Sequence, residues 1–306
     1  MPTRRQLEFA RLATEQTNHA SVDLDLKSSL EVARIINGED AKVARAVQRA
    51  LPKIARAIDL IAKALQGGGR LIYVGTGTSG RIAALDAVEC PPTFNTRPRT
   101  VQFVIAGGLR ALAGAVEADE DSAELGVRGI ARKKPGKNDV VVGIAASGRT
   151  PFTVAAITYA RRQGAKTVAM TSNRNSPLQR AAHLAIVVEV GPEVISGSTR
   201  LKAGTAEKMV LNMLSSGAMT RLGYVYGNLM VNVHQKNAKL VQRALTILQR
   251  ATAVDREVAQ EALRQAGQSV PAAIVMLKTG VSRARALRAL KATAGNVRRA
   301  ISAARN

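Results

Sequence analysis

The chain has 306 residues, 46% of them hydrophobic, with 45 Lys+Arg against 22 Asp+Glu and a formal net charge of +23. That is enough for one large domain or two modest ones with real cores, and no stretch approaches the roughly 18 consecutive apolar residues of a membrane span. One cysteine excludes an internal disulfide and fits a reducing cytoplasm.

A charge of this size attracts nucleic acid or an anionic membrane. Here the arginines are scattered, there is no long basic run, Trp is absent, and Tyr and Phe number four each. Stacking platforms for single strands are therefore scarce, and the expectation is no nucleic-acid partner and no membrane, with a small anionic substrate still drawn in by the field. The start, "MPTRRQLEFARLATEQTN", has charges but no apolar core, so it does not read as a secretory signal.

Residues 1–26 are polar and irregular, and 27–37 have a helical pattern. From Asp40, the apolar residues Val43, Val47, Leu51, Ile54, Ile58, Ile61 and Leu65 recur every three or four positions, one stripe of a long helix, which Gly67, Gly68 and Gly69 end. The period then changes. "RLIYVG" (70–75), "VQFVIAGG" (101–108), "DVVVGIAASG" (139–148), "KTVAMTS" (166–172) and "LAIVVEV" (184–190) are short apolar runs separated by helical segments. Continuous apolar strands alternating with helices predict an α/β fold, a parallel five-stranded sheet covered on both faces in three layers. In such sheets ligands bind beyond the carboxyl ends of the strands. The chain reads as helical again from about 208 to 250, and three or four short amphipathic helices follow from Asp255 to Ile301. Their Arg283, Arg285, Arg288, Lys291, Arg298 and Arg299 read as a solvated face. The expected organisation is a helical segment over 1–55, the sheet domain over 56–250 and a small helical domain over 251–306.

"GTGTSGR" (75–81) follows the first strand and opens a helix. Gly75, Gly77 and Gly80 satisfy the letters of a dinucleotide turn, but the acidic companion at the end of the second strand is missing. Thr78 and Ser79 instead put hydroxyls beside the open N–H groups of a helix start, which suits a phosphate; the plainer reading of Thr78 is a helix cap. "AASGRTPF" (145–152) repeats the arrangement after another strand. Ser147, Arg149 and Thr150 add two hydroxyls and a guanidinium, and Pro151 stands where a first helical turn tolerates it. Two such turns at one sheet edge make a pocket for a phosphorylated ligand. The nucleoside-triphosphate motif G-x-x-x-x-G-K-[ST] is absent.

Strand–"GTSGR"–helix and strand–"SGRT"–helix resemble the sugar isomerase (SIS) fold, which is flavodoxin-like and binds phosphosugars. The longer blocks "YVGTGTSGRIAALDAVECPPTF", "IAGG", "VEADEDS", "GIAASGRTPF", "GPEVISGSTRLKAGTAEKMVLNMLS" and "VYGNLMV" resemble the N-acetylmuramic acid 6-phosphate etherases over nearly the whole chain. The resemblance implies an active site with two glutamates. One lies in "DAVECPPTF", at Glu89. The other lies in the acidic block, where Glu120, followed by Asp121, fits better than the fallback Glu117. It also implies the chemistry: removal of a 2-acetamido sugar 6-phosphate's C2 proton in the ring-opened aldehyde, loss of D-lactate from C3, then addition of water at C3. Glu89 would act as the acid toward the ether oxygen and Glu120 as the base at C2. No cofactor is implied, and a cytoplasmic homodimer paired through helices flanking the sheet is expected.

Taken alone, Glu89 reads as a helix-terminal glutamate before Pro91, and Glu117 and Glu120 as surface charges. Cys90 has no His or Asn partner and reads as packing; His19, His183 and His234 with one cysteine make no metal site. The loop 193–208 carries Glu193, Ser196, Ser198, Thr199, Arg200, Lys202 and Lys208. Of these, Glu193, Ser198 and Lys202 are candidate contacts to the lactate carboxylate or the phosphate. Two other readings stay open: a non-catalytic sugar-phosphate sensor similar to glucokinase regulatory protein, and an aldose–ketose phosphosugar isomerase. A regulator of the same fold would need an N-terminal helix-turn-helix, for which the first 26 residues are too short and irregular.

Overall fold

The computed structural model describes residues 12–114, 119–232 and 238–305. The chain divides into two compact units, Met1–Ala87 with Arg99–Ser215, and Val88–Pro98 with Ser216–Asn306. The expected boundaries at 55 and 250 differ from these. The N-terminal helix contributes to the core of the sheet unit, and residues from Val231 onward share one apolar cluster with the C-terminal helices.

In the first unit, helix α1 (Ser29–Gln66) starts with a capping box, in which Glu31 N donates to Ser28 Oγ and Ser28 N to a Glu31 carboxylate oxygen. It runs unbroken through Gly38, where the sequence suggests two separate helices. An interior glycine costs only about 1 kcal/mol, less than the burial that follows it. The buried stripe is Val43, Ala46, Val47, Ala50, Ile54, Ala57 and Ile61, whereas Leu51 is 43% exposed. The expected Val43, Val47, Ile54 and Ile61 carry this face, and alanines fill in between them.

Strands β1 (Leu71–Gly75), β2 (Val101–Ile105), β3 (Val140–Ile144), β4 (Lys166–Thr171) and β5 (Leu184–Val187) form one wholly parallel sheet in the order β2-β1-β3-β4-β5. Every residue of β1 and β3 is buried, as two-sided cover requires. Between them come α2 (Gly77–Phe94), α3 (Ala123–Ala131), α4 (Pro151–Arg162) and the one-turn α5 (Pro177–Ala181). Ile72, Val74, Val104, Ile130, Val141, Phe152, Ile157 and Leu178 form one core. The chain leaves β1 toward β2 and leaves β3 toward β4, so the strand order reverses between β1 and β3. A doubly wound sheet opens its ligand crevice at that point, and the two glycine turns follow these two strands.

Helix α2 continues across Pro91 and Pro92 to Phe94, and Asn95, with φ +57°, ends it. Glu89 is therefore more than a turn inside the helix and not its terminal residue. Helix α6 (Lys202–Leu222) begins in the first unit, where Ala203, Ala206, Val210, Leu211 and Leu214 are fully buried. The unit boundaries cross both α2 and α6.

In the second unit, a ribbon of β6 (Val225–Tyr226) and β7 (Leu229–Met230) precedes α7 (Ala238–Thr252), α8 (Arg256–Gln265), α9 (Val270–Thr279), α10 (Arg283–Ala292) and α11 (Val297–Arg305). Ala244, Leu248, Ala259, Ala273, Ile274, Ala286 and Ala300 are at its centre. The basic residues of the last two helices are exposed, the solvated face that was expected, and Arg298 lies over the Tyr226 ring at 4.9 Å. No helix among the described residues is long and apolar enough to cross a membrane.

A buried ion pair ties α1 to the start of α6. Lys202 Nζ donates to Glu39 Oε2 at 2.5 Å, with side chains 1% and 4% exposed, and Lys42 bonds the other oxygen. Burial pushes the Glu39 carboxyl up, but the bonds from Lys202 and Lys42 more than reverse this and hold it at about 2. Lys202→Met should therefore destabilise the protein by about 3 kcal/mol, the lower end for a broken buried pair, because Lys42 remains. Glu39 titrates below its unfolded value, so its contribution is present above about pH 4.5 and is lost as pH falls toward 2. Urea unfolding of wild type and Glu39→Gln should show a gap that is widest at pH 7 and closes on acidification.

Candidate active site

The first turn is built by three glycines with different tasks. A Cβ on Gly80 would lie 2.5 Å from Ile105 Cγ1 and 3.0 Å from the Gly75 carbonyl, so α2 can press this closely on β1 and β2 only with glycine there. Gly77 has φ +48°, a left-handed conformation that glycine adopts without strain. Gly80 N donates to Thr76 O at 2.9 Å, so Thr76 stands at the cap position and Thr78 lies inside the first turn. The expectation of Thr78 as the cap is thereby corrected. The N–H groups of Gly77, Thr78 and Ser79 are the open donors of this helix end.

The Glu120 carboxylate is held at that end. Thr76 Oγ1 donates to Glu120 Oε2 at 3.0 Å, and Glu120 Oε1 lies 3.0 Å from where a Gly77 Cβ would stand. The helix dipole favours a negative group at this place. The Glu120 carbonyl is anchored at the second turn, accepting from Phe152 N at 3.1 Å. One residue thus joins both hydroxyl turns, with its side chain on the first and its backbone on the second. The loop leading to it is clamped by Arg81, whose Nε and Nη2 donate to Ala111 O at 2.8 Å and Gly114 O at 2.7 Å. The alternative Glu117 lies outside the described residues, as does His234.

In the second turn, Ser147 Oγ accepts from Arg149 N at 3.2 Å. Thr150 caps α4 by position but makes no side-chain capping bond, and Pro151 is the first helical residue. Gly148 has φ +67°, and a Cβ there would strike Ser176 Oγ at 2.4 Å and Thr171 Oγ1 at 2.6 Å. Ser147, Arg149 and Thr150 are all half-buried. The structure therefore brings together Thr78, Ser79, Glu120, Ser147, Arg149 and Thr150 on the turns after β1 and β3. Glu89 lies twelve residues beyond Gly77 on α2, on the stretch assigned to the second unit, and its side chain is exposed. Cys90 beside it is buried, as packing requires.

Glu193 and Lys202 sit elsewhere than expected. Both are fully buried, and their charged groups are engaged within the protein. The Glu193 carboxylate accepts from Lys202 N and Ala203 N, each at 2.9 Å, capping α6. Burial raises its pKa despite those bonds. Lys202 is bound to Glu39. A basic, hydroxyl-rich loop reads as anion-binding in sequence, but here one charge of each sign is used to frame the next helix. Ser198 is half-buried in a tight turn, with its N–H bonded to Ile195 O.

Three residues of the site region carry no sequence signal that motif spacing would reveal. Thr76 orients Glu120. Asp86 is buried between Tyr73 Oη at 2.8 Å and Ser215 Oγ at 2.9 Å, and burial pushes it up to about 6. Glu207 is buried on α6, with its Oε1 hydrogen-bonded to Ser79 Oγ at 2.9 Å. The clue to Glu207 is a lone acid inside the apolar stretch "KAGTAEKMVLNML". His183 is structural: Thr167 N bonds its Nδ1 at 3.2 Å, and burial lowers its pKa.

This arrangement matches two family models, the glucokinase regulatory protein N-terminal SIS domain over residues 53–161 and the SIS domain over 135–216. A phosphoheptose isomerase from Francisella tularensis shares the fold, with a TM-score of 0.50 and 19% identity over 63% of this chain and all of that one. Proteins named N-acetylmuramic acid 6-phosphate etherase are far more similar. The one from Symbiobacterium thermophilum is 57% identical over 90% of this chain and 91% of its own length. Those from Clostridium beijerinckii and Photorhabdus laumondii are 47% and 48% identical over 96% and 98% of this chain. Identity of this extent over nine-tenths or more of the chain means that the chain belongs to the N-acetylmuramic acid 6-phosphate etherase family.

Proposed function

We propose that this protein cleaves the D-lactyl ether of N-acetylmuramic acid 6-phosphate, giving N-acetylglucosamine 6-phosphate and D-lactate, as a carbon–oxygen lyase of amino-sugar breakdown in the cytoplasm. The observation that carries this reading is 57% identity over 90% of the chain to an etherase. Glu120, with its carboxylate on the first hydroxyl turn and its backbone on the second, supports it. No feature of the site favours the sensor or the isomerase.

In the ring-opened aldehyde the C1 carbonyl acidifies the C2 proton. Glu120 takes that proton, the C3–O bond breaks, and Glu89 protonates the departing lactate oxygen, which is otherwise a poor leaving group. The α,β-unsaturated aldehyde left behind adds water: hydroxide bonds to C3 and a proton returns to C2. The sum is one water consumed and one lactate released, with both carboxyl groups restored. Each general acid or base step is typically worth about 10²–10⁴-fold. The hydroxyls of Thr78, Ser79, Ser147 and Thr150, with Arg149, hold the phosphate. Ser198 remains a candidate contact on the neighbouring loop, and Glu193 and Lys202 support the frame.

Purified, EDTA-treated protein should release D-lactate from the phosphorylated ether substrate; no release above background overturns the assignment. Glu120→Gln should abolish both turnover and exchange of the C2 proton with deuterated solvent. Glu89→Gln should stop lactate release yet keep partial C2 exchange if the carbanion forms first. These losses should fall on kcat more than on KM, since the amide keeps the shape and removes the proton chemistry.

The reading includes a homodimer. Helix α6 buries Ala203, Ala206, Val210, Leu211 and Leu214 within the chain, and Leu26, Leu30, Leu85 and Leu109, at 77%, 59%, 51% and 74% exposed, offer apolar surface to a partner. Sedimentation at micromolar concentration should give twice the 32.3 kDa chain mass; a single-chain mass would refute the pairing.

A further inference from the structure

Ser79 raises a question of proton supply. A hydroxyl has one proton to donate and two lone pairs to accept with. Its Oγ is 2.9 Å from Glu207 Oε1, and Glu207 is 1% exposed on α6. An ionised carboxylate can only accept, so it would consume the Ser79 proton and turn the hydroxyl's lone pairs toward the ligand side. A phosphate facing Ser79 would then receive no proton from that hydroxyl. A neutral carboxylic acid reverses the bond: its O–H donates to Ser79 Oγ, and the Ser79 proton becomes available to an anion.

We propose that Glu207 is a positioning residue for phosphate binding, a neutral acid that donates its proton to Ser79 so that Ser79 can donate to the substrate's phosphate. The inference rests on the phosphosugar reading above and adds a proton that must be present for tight binding.

The surroundings of Glu207 support it. Burial is the main cause that pushes its carboxyl up to about 8, and the negative charge of Glu193 adds to this against the Ser79 bond. Lys202, earlier on the same helix, is bound to Glu39. Asp86, on the helix that carries Ser79, is held by Tyr73 and Ser215, and the nearby Lys208 acts on Asp86. Thus, among the described residues, no ammonium bonds Glu207 to keep it ionised at neutral pH. A dianionic phosphate one hydroxyl away would favour the proton further, because the coupling between proton and ligand is reciprocal.

The test is calorimetric binding of N-acetylglucosamine 6-phosphate to the whole protein from pH 7.0 to 9.5, where the phosphate is dianionic throughout, its second pKa being about 6. Wild-type affinity should be flat to about pH 8 and then weaken by about tenfold or more by pH 9.5, the scale of one charge-assisted hydrogen bond. Glu207→Ala should weaken binding already at pH 7. Glu207→Gln, whose amide donates to Ser79 but does not titrate, should rescue that loss and remove the pH dependence. Ser79→Ala should bind weakly and without pH dependence, and adding Glu207→Ala to it should cost nothing more.

A wild-type profile flat to pH 9.5, or a Glu207→Gln protein that keeps the wild-type slope, overturns the proposal, as does failure to bind the phosphosugar at any pH. If the glutamate variants do not fold, the wild-type and Ser79→Ala profiles still decide. The D-lactate assay at pH 7 separates the two readings. Release with a flat binding profile sinks Glu207 alone, whereas a sloped profile without release sinks the etherase reading alone.

Discussion

The site depends on how closely the first turn of α2 approaches the sheet. Gly80 is within contact of the Gly75 carbonyl and Ile105, an approach that any Cβ would prevent. That approach directs three unsatisfied N–H groups of a helix start toward the carboxyl end of β1. There their partial charges have no backbone partner and are compensated by an acid or an anion. Glu120 supplies the acid. Its placement depends in turn on Gly77, on Thr76 and on the backbone bond to Phe152. The second turn, after β3, stands on the other side of the point where the strand order reverses. The crevice therefore has an anion-seeking wall on each side.

Among its described residues the sheet unit buries five acids and one ammonium: Glu39, Asp86, Asp139, Glu193 and Glu207 with Lys202. Asp139 is paired with Arg70. Each acid is stabilised differently. Glu39 stays charged because two lysines bond it. Glu193 takes two backbone N–H bonds at a helix start. Asp86 is bonded by the hydroxyls of Tyr73 and Ser215, Glu207 pairs with the hydroxyl of Ser79, and burial pushes both upward. The same residue type therefore serves as an ion-pair partner, a helix cap and a proton reservoir, and the donors around it decide which. The overall positive charge belongs to another scale. It is spread over exposed arginines and acts as a field that favours an anionic substrate.

The two units differ in how they build a core. The sheet unit uses β-branched residues on both faces of its strands. The helical unit relies on alanines such as Ala244, Ala259, Ala273 and Ala300, which let short helices approach closely without long side chains between them. Both patterns were legible: continuous apolar runs marked the strands, and short amphipathic stretches from Asp255 to Ile301 marked the helices. On α1 the expected Val43, Val47, Ile54 and Ile61 do face the core, while Ala46, Ala50 and Ala57 widen that face and Leu51 lies off it.

The sequence by itself determined the alternation of strands and helices, the two hydroxyl turns and the glutamate-bearing blocks. These follow from local spacing: apolar runs, glycines where a turn needs them, and hydroxyls beside a helix start. Tertiary structure alone decided which partner each buried charge would meet. The bonds from Thr76 to Glu120, Ser79 to Glu207 and Lys202 to Glu39 span 44, 128 and 163 residues. No periodicity records such separations. Lys202 and Glu193 looked like ligand contacts because a charged loop exposes its charges unless the fold covers them. Here the fold covers both, and a buried charge must find its partner inside the protein.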